Sequence, residues 1–343
     1  MGVLRFILAL AVVASHSWRI LPFPIVPGSV AVQAFYIISG FYMALILTDK
    51  YLTKPHSYKL FITNRILRIY PIYFFILVLT LLVYALSPED NSLKVLINLL
   101  SQGNYLGGLV VIFSTIFIIG QETIRSSPGP IYDSLLVPQA WTLSLEFMFY
   151  FLVPFLVRLK KIYLIVIFIA SIHLRLWLFN QGYYSDPRDT GFFPTELALF
   201  ILGMLSFNVY QRIQHKKISW DLNILVFLAV ISLTIFLAVI DLNPLFKVIF
   251  YFAAVGMGLP FIFYLTRDSR FDRWIGEFSY PIYISHILIK YIFSVHLGFT
   301  GKFDPAYGWW VAGGSFLLSY ILLYAVIYPI DKIREQKILD HKL

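Results

Sequence analysis

The sequence predicts an all-α, polytopic integral membrane bundle of about ten transmembrane helices with both termini cytoplasmic. Three observations carry that expectation. Hydrophobic residues make up 59% of the 343 positions and charged ones only 13%, outside the usual soluble range. Apolar runs near the ~20 residues that cross a bilayer recur along the whole chain. Threading those runs alternately through a membrane puts nineteen of the 27 Lys and Arg on one side and five on the other, the bias expected of cytoplasmic loops. No stretch is polar enough for a separate soluble domain, so residues 1–343 read as one membrane domain.

The first run, about 3–21, lacks a clear small-x-small cleavage site and carries His16, so it reads as a retained span rather than a signal peptide. After the Pro-rich turn 22–28 comes a span at about 30–48, then a basic loop to Arg68 and a span at about 66–86. Later spans are expected at 139–157, 162–179, 196–211, 221–240, 245–265, 278–297 and 308–330. Between them lie basic clusters around Arg158, Arg212 and Arg267, and a basic tail from Lys332 to Lys342. The section 93–138 is ambiguous. A crossing there would move every later basic cluster to the outer side, so Leu106–Gly120 reads as a re-entrant or surface-lying helix buried against protein. An eleventh span is the competing arrangement.

Composition also excludes some chemistry. With no cysteine there is no disulfide, no thiolate metal site and no cysteine nucleophile. His173, His215, His296 and His341 have no partners at metal-ligand spacing, so no metal is expected. The net charge of +9 follows the loops of a membrane protein and points to anionic lipid rather than nucleic acid. No protein partner is inferable.

Three spans carry polar residues at helical spacing. Arg5 and His16 are eleven residues apart, about three turns and roughly 16 Å of rise, on one face of the first span. Gln139, Thr142, Glu146 and Tyr150 form a second stripe; Ser279, Tyr283, His286 and Lys290 form a third. Ionisable groups inside a membrane are costly and mark function by default, so the stripes are expected to line a common interior. His16 and Glu146 stand at depths where they could meet, a base–carboxylate pairing of the general-base kind; a buried contact that only fixes helix packing is the plainer reading. Arg65 and Arg68, at i and i+3 on the same side as Arg5, suit a phosphate clamp, although arginines at a helix end also anchor to headgroups. The loop aromatics and carboxylates Tyr183, Tyr184, Asp186, Arg188, Asp189 and Phe192, then Phe303, Asp304, Tyr307, Trp309 and Trp310, suit a sugar but equally an ordinary interfacial belt.

Arg5-x10-His16, Phe35-Tyr36-Ile37-Ile38-Ser39-Gly40-Phe41, Arg65-Ile66-Leu67-Arg68-Ile69-Tyr70-Pro71, the run Trp141 to Tyr150 and the run Ser279 to His286 together resemble, in order, the elements of the acyltransferase-3 family. Gln33 departs from the acidic residue frequent at its position. The resemblance implies a ten-span inner-membrane (plasma-membrane) enzyme that moves an acyl group, commonly acetyl, from cytoplasmic acyl-CoA to a carbohydrate acceptor such as a surface or exported polysaccharide. On that reading Arg5, Arg65 and Arg68 bind acetyl-CoA or another acyl-CoA, His16 is the general base and Glu146 orients it. Tyr150, Tyr283 and His286 are secondary candidates, and an acyl-His16 intermediate is the alternative to direct transfer. From another class, a transporter or flippase for a lipid-linked saccharide would also want polar stripes, but the internal repeats often seen in transporters are not evident.

Overall fold

A computed structural model describes residues 1–125, 129–183, 191–298 and 305–333. The described residues are helical with no strand. Helix α1 spans Gly2–His16, α2 Gly28–Ile46 and α3 Ser57–Leu86. Four short helices follow: α4 (Ser92–Ser101), α5 (Tyr105–Phe117), α6 (Gln121–Arg125) and α7 (Pro130–Asp133). Then come α8 (Trp141–Leu156), α9 (Lys161–Asn180), α10 (Phe193–Ile213), α11 (Trp220–Phe236) and α12 (Pro244–Thr266). A surface helix α13 (Arg270–Glu277) leads into α14 (Ser279–His296) and α15 (Pro305–Leu322).

Eight of the ten expected spans are helices long and apolar enough to cross a bilayer. The other two, α1 and α14, are the ones that carry His16 and His286. Helix α1 is only 15 residues, about 22 Å, and stops at His16 instead of running to residue 21. In its last turn Ser15 Oγ, His16 Nδ1 and Ser17 Oγ each bond the carbonyl four residues back, at 3.0, 2.9 and 2.8 Å. These bonds add to the backbone ladder, whose last rung is the Ser17 N–H on the Val13 carbonyl at 3.0 Å, and Pro22, Pro24 and Pro27 keep the following chain out of helix. Helix α14 has the length but carries Ser279, Tyr283, Ser285, His286 and Lys290. Both are shielded: α1 and α14 pack on each other, with Ala9, Val13, Phe278 and Ile282 buried in a shared cluster.

The centre of the bundle is α2, the most enclosed of the long helices, whereas α9 is the least. Its closest neighbour is α10. Gly40 lies against the Phe200 carbonyl and Gly203 against the Ile37 carbonyl, so closely that a Cβ at either position would overlap backbone. Small residues that let helix backbones touch are a usual source of membrane helix affinity. Aromatic stacking closes the layer, with Phe200 between Tyr36 at 4.7 Å and Phe149 at 4.3 Å between ring centres.

Helix α5 lies in the expected re-entrant or surface-lying stretch. At 13 residues, about 20 Å, it is too short for a ~30 Å hydrocarbon core. Tyr70 and Tyr73 of α3 donate to the carbonyls of Phe117 and Thr115, both at 2.6 Å, which tether its end. Helix α6 docks on α8 through Ser144, which donates to Glu122 and accepts from the Gly120 N–H at 3.1 Å.

Candidate functional site

The N-terminus of α1, which carries Arg5, is set by α13. The Asp272 carboxylate accepts from the N–H groups of Gly2 at 2.7 Å and Val3 at 3.0 Å, and pairs with the Met1 amino group at 2.7 Å. Burial alone would raise this carboxyl, but the amino group and the two N–H donors hold it below the ordinary carboxylate range.

A cavity of about 660 Å³ opens beside this cap and is lined from α1, α2, α3, α8, α13 and α14. Arg5, Arg65 and Arg68 all line it, as does Glu146. Arg65 is buried, with its guanidinium 5.7 Å from the centre of the Phe61 ring; Arg5 is half-buried and Arg68 exposed. Lys50, Arg267 and Arg273 line it too. Six cations therefore face the four carboxylates Glu146, Asp272, Glu277 and Asp331, a positive balance suited to a polyanionic ligand. Sequence reasoning missed Lys50, Arg267 and Arg273 because one-dimensional spacing does not show which loop cations the fold turns inward.

The two later stripes also face the cavity. Thr142, Glu146 and Tyr150 line it from α8, and Ser279 and Tyr283 from α14. The Tyr283 hydroxyl donates to the Gln139 carbonyl at 3.0 Å and lies 2.8 Å from Thr142 Oγ1. Gln139 completes the joint by donating to the Ile284 carbonyl at 2.5 Å.

The histidines lie beyond this joint, and neither lines the cavity. His16 and His286 face one another with ring centres 5.0 Å apart and planes inclined by 52°. His286 is fully buried, while His16 is exposed at the end of α1. Each Nδ1 bonds a carbonyl: Val12 at 2.9 Å for His16, Tyr283 at 2.6 Å for His286. A carbonyl only accepts, so Nδ1 carries the proton in both neutral rings and Nε2 keeps its lone pair.

The geometry corrects one expectation. Glu146 does not orient His16; its carboxylate accepts from the Tyr150 hydroxyl at 3.0 Å, inside the cavity. Glu146 is one turn to the cavity side of Thr142, and His286 is one turn to the other side of Tyr283, which separates their levels by about 10 Å along the bundle. The Val12 carbonyl fixes the His16 ring instead.

A second buried carboxylate escaped the sequence reading. Glu196 is ion-paired to Arg175 at 2.7 Å and receives Gln33 Nε2 at 3.4 Å. Its partners lie 21 and 163 positions away, so no local pattern announces it. Among the loop aromatics, Tyr307 is buried and donates to the Lys290 carbonyl at 3.3 Å; Tyr183, Phe192, Trp309 and Trp310 are exposed. Tyr184, Asp186, Arg188, Asp189, Phe303 and Asp304 lie outside the described residues, as do Lys302 and the tail cations Arg334, Lys337 and Lys342.

These features describe a multi-pass helical membrane protein with a cation-lined cavity that stops one turn short of a histidine pair. The family follows from comparison with known proteins. The model of the Acyl_transf_3 family, described as an acyltransferase domain, matches residues 1–328, and the chain belongs to that family of membrane acyltransferases. It is 24% identical over 331 residues to Nodulation protein 10 of Rhizobium leguminosarum bv. viciae, covering 90% of this chain and 85% of that protein. It is 28% identical over 162 residues to an uncharacterized protein of Aquifex aeolicus strain VF5, covering 46% of this chain and 71% of that protein. No solved structure matches the chain.

Proposed function

We propose that this acyltransferase moves an acyl group, most simply acetyl, from acyl-CoA to a hydroxyl of a cell-surface or exported carbohydrate, with His16 as general base. The observation that carries the reading is the position of the cation-lined cavity relative to the histidine pair, with only the Tyr283–Thr142 joint between them. Arg5, Arg65 and Arg68 hold the phosphates of CoA, and the pantetheine arm runs along the cavity toward Tyr283. The enzyme sits in the cytoplasmic membrane with both termini inside, so that the basic loops and the donor face the same compartment.

The acceptor approaches from the exposed side of His16. His16 Nε2 takes the hydroxyl proton as the acceptor oxygen attacks the thioester carbonyl, the C–S bond breaks, and the departing thiolate takes the proton to give free CoA. The Nδ1–H bond to Val12 holds the ring in the tautomer this step needs. Glu146 acts on the donor side, offsetting the repulsion among the arginines rather than serving the base.

The test is acyl transfer from acetyl-CoA by the purified protein in lipid bilayers, with crude polysaccharide from the producing organism as acceptor. Wild type should transfer acetyl. His16→Ala should abolish transfer and keep acetyl-CoA binding, while the double variant Arg65→Ala/Arg68→Ala should lose that binding. Absence of both binding and transfer with several donors and acceptors would overturn the proposal and favour a transporter.

A further inference from the structure

Tyr36 of α2 stands apart from the other tyrosines of the interior. It is 1% exposed, its hydroxyl is enclosed, and among the described residues that hydroxyl has no hydrogen-bond partner. The buried hydroxyls of Tyr73, Tyr150, Tyr251 and Tyr283 each have one. Tyr73 donates to the Thr115 carbonyl at 2.6 Å, Tyr150 to the Glu146 carboxylate at 3.0 Å and Tyr283 to the Gln139 carbonyl at 3.0 Å, while Tyr251 pairs with Thr234 Oγ1 at 3.0 Å. An enclosed hydroxyl left unpaired is costly, because it gives up its bonds to water and gains none in the fold. A phenylalanine would fill the same place without that cost, so packing alone does not account for the oxygen.

The surroundings of Tyr36 join it to the cation-lined cavity. Its ring is held in place, stacked on Phe200 with centres 4.7 Å apart and planes inclined by 26°, and Phe200 stacks in turn on Phe149. Tyr36 lines the cavity together with Ser39, Tyr42 and Met43 of the same helix. Met43 marks the level of the buried arginine, since its Sδ lies 3.9 Å from Arg65 Nη1. Tyr36 is seven positions from Met43, about 10 Å along α2. A ligand whose phosphates lie on Arg65 therefore meets Tyr36 with its uncharged arm.

We propose that the Tyr36 hydroxyl donates a hydrogen bond to a carbonyl oxygen of the bound donor, so that the cavity recognises the arm of the donor as well as its phosphates. This inference rests on the reading of the cavity as an acyl-CoA site and deepens it by one contact. Two parts of acyl-CoA share the required chemistry: the thioester carbonyl, and the amide carbonyls of the pantetheine arm. A phenolic O–H donates to either.

The test compares wild type and Tyr36→Phe in lipid nanodiscs by isothermal titration with acetyl-CoA, S-ethyl-CoA and adenosine 3′,5′-bisphosphate. S-ethyl-CoA is the thioether that lacks only the thioester oxygen, and the bisphosphate lacks the whole arm. Tyr36→Phe should weaken acetyl-CoA binding about 3- to 10-fold, the loss expected for one hydrogen bond, and leave the bisphosphate unchanged. A loss confined to acetyl-CoA identifies the thioester carbonyl as the partner; an equal loss for S-ethyl-CoA identifies an arm amide. The thermal midpoint of ligand-free Tyr36→Phe should equal or exceed that of wild type, because no bond within the protein is removed.

Unchanged acetyl-CoA affinity in Tyr36→Phe would overturn the contact and leave the hydroxyl to bound water. An equal loss for the bisphosphate, or a lowered midpoint in the ligand-free protein, would make the hydroxyl a structural group and overturn the contact as well. Failure of the wild type to bind any of the three ligands is a separate result: it removes the acyl-CoA reading itself, and the contact falls with it.

Discussion

If the cation-lined cavity holds acyl-CoA as proposed, its two i, i+3 arginines have unequal roles, and the inequality is measurable. Arg65 is buried against Phe61 and near Met43, whereas Arg68 is exposed at the rim. A buried guanidinium on a phosphate makes charge-assisted bonds worth about 1.5–3 kcal/mol, so Arg65→Ala should weaken acetyl-CoA binding roughly 10- to 100-fold. An exposed cation is screened, so Arg68→Ala should cost less than about fivefold at physiological salt. Raising salt to about 0.5 M shortens the screening length to a few ångströms and should erase the Arg68 effect while leaving most of the Arg65 effect. Arg65→Lys keeps the charge but loses the planar fork, and should fall between wild type and Arg65→Ala. Isothermal titration of acetyl-CoA into nanodisc-embedded protein at two salt concentrations measures all four quantities, with thermal unfolding as the folding control. If Arg68→Ala costs as much as Arg65→Ala, or the Arg65 loss vanishes with salt, the buried-clamp argument is wrong.

Other predictions concern the frame around the cavity. Gly203→Ala should lower the thermal midpoint strongly, because its Cβ overlaps the Ile37 carbonyl and α2 and α10 must separate; Gly313→Ala, with open space around it, should be nearly neutral in the same melt. Tyr283→Phe removes one buried hydroxyl bonded to Thr142 and Gln139, costing about 1 kcal/mol of stability. Acyl transfer should fall in that variant while acetyl-CoA affinity stays, measured by turnover and titration side by side. Asp272 binds fewer protons folded than unfolded, so its stabilisation is complete above the ordinary carboxylate pKa of about 4 and is lost as pH falls through its lower folded value. Asp272→Asn should therefore destabilise the protein at neutral pH and flatten this acid limb, as read from melts across pH.

What the sequence made legible was periodic. Thr142, Glu146 and Tyr150 do share a face on one cavity with Ser279 and Tyr283, because helical spacing alone decides which side chains align. That Arg5, Arg65 and Arg68 line one cavity was legible too, because the loop-charge count grouped them at one end of the spans. The end of α1 was not. The span reads through to residue 21, whereas the backbone ladder ends with the Ser17 N–H on the Val13 carbonyl, a stop that hydropathy does not register. Nor was the partner of Glu146: similar depth on two spans does not say which neighbouring helix intervenes, and Tyr150, one turn away on the same helix, is the nearer donor. Arg125 counted only as an outer-loop cation, although a short helix docked on α8 sets its guanidinium over the Trp141 ring.

The short, polar pair α1 and α14 ties these points together. A helix that ends at His16 exposes its last turn at the same level where α14 carries His286, and its Val12 carbonyl becomes the partner of a ring nitrogen. Extending α1 by another turn would set Ile20 one turn beyond His16 on the same face and cover the imidazole that the early stop leaves exposed. The Val12 carbonyl holds the His16 ring as a carboxylate was expected to, while Glu146 lines the cavity with the arginines. It follows that stabilising the helix past its natural end, with Ser17→Ala and Pro22→Ala together, should not improve the enzyme even though each change favours helix. Acetyl-CoA affinity should hold, because Arg5 is three turns away, while acyl transfer drops. Equal or faster transfer in that variant would show that the terminus of α1 is incidental to the chemistry.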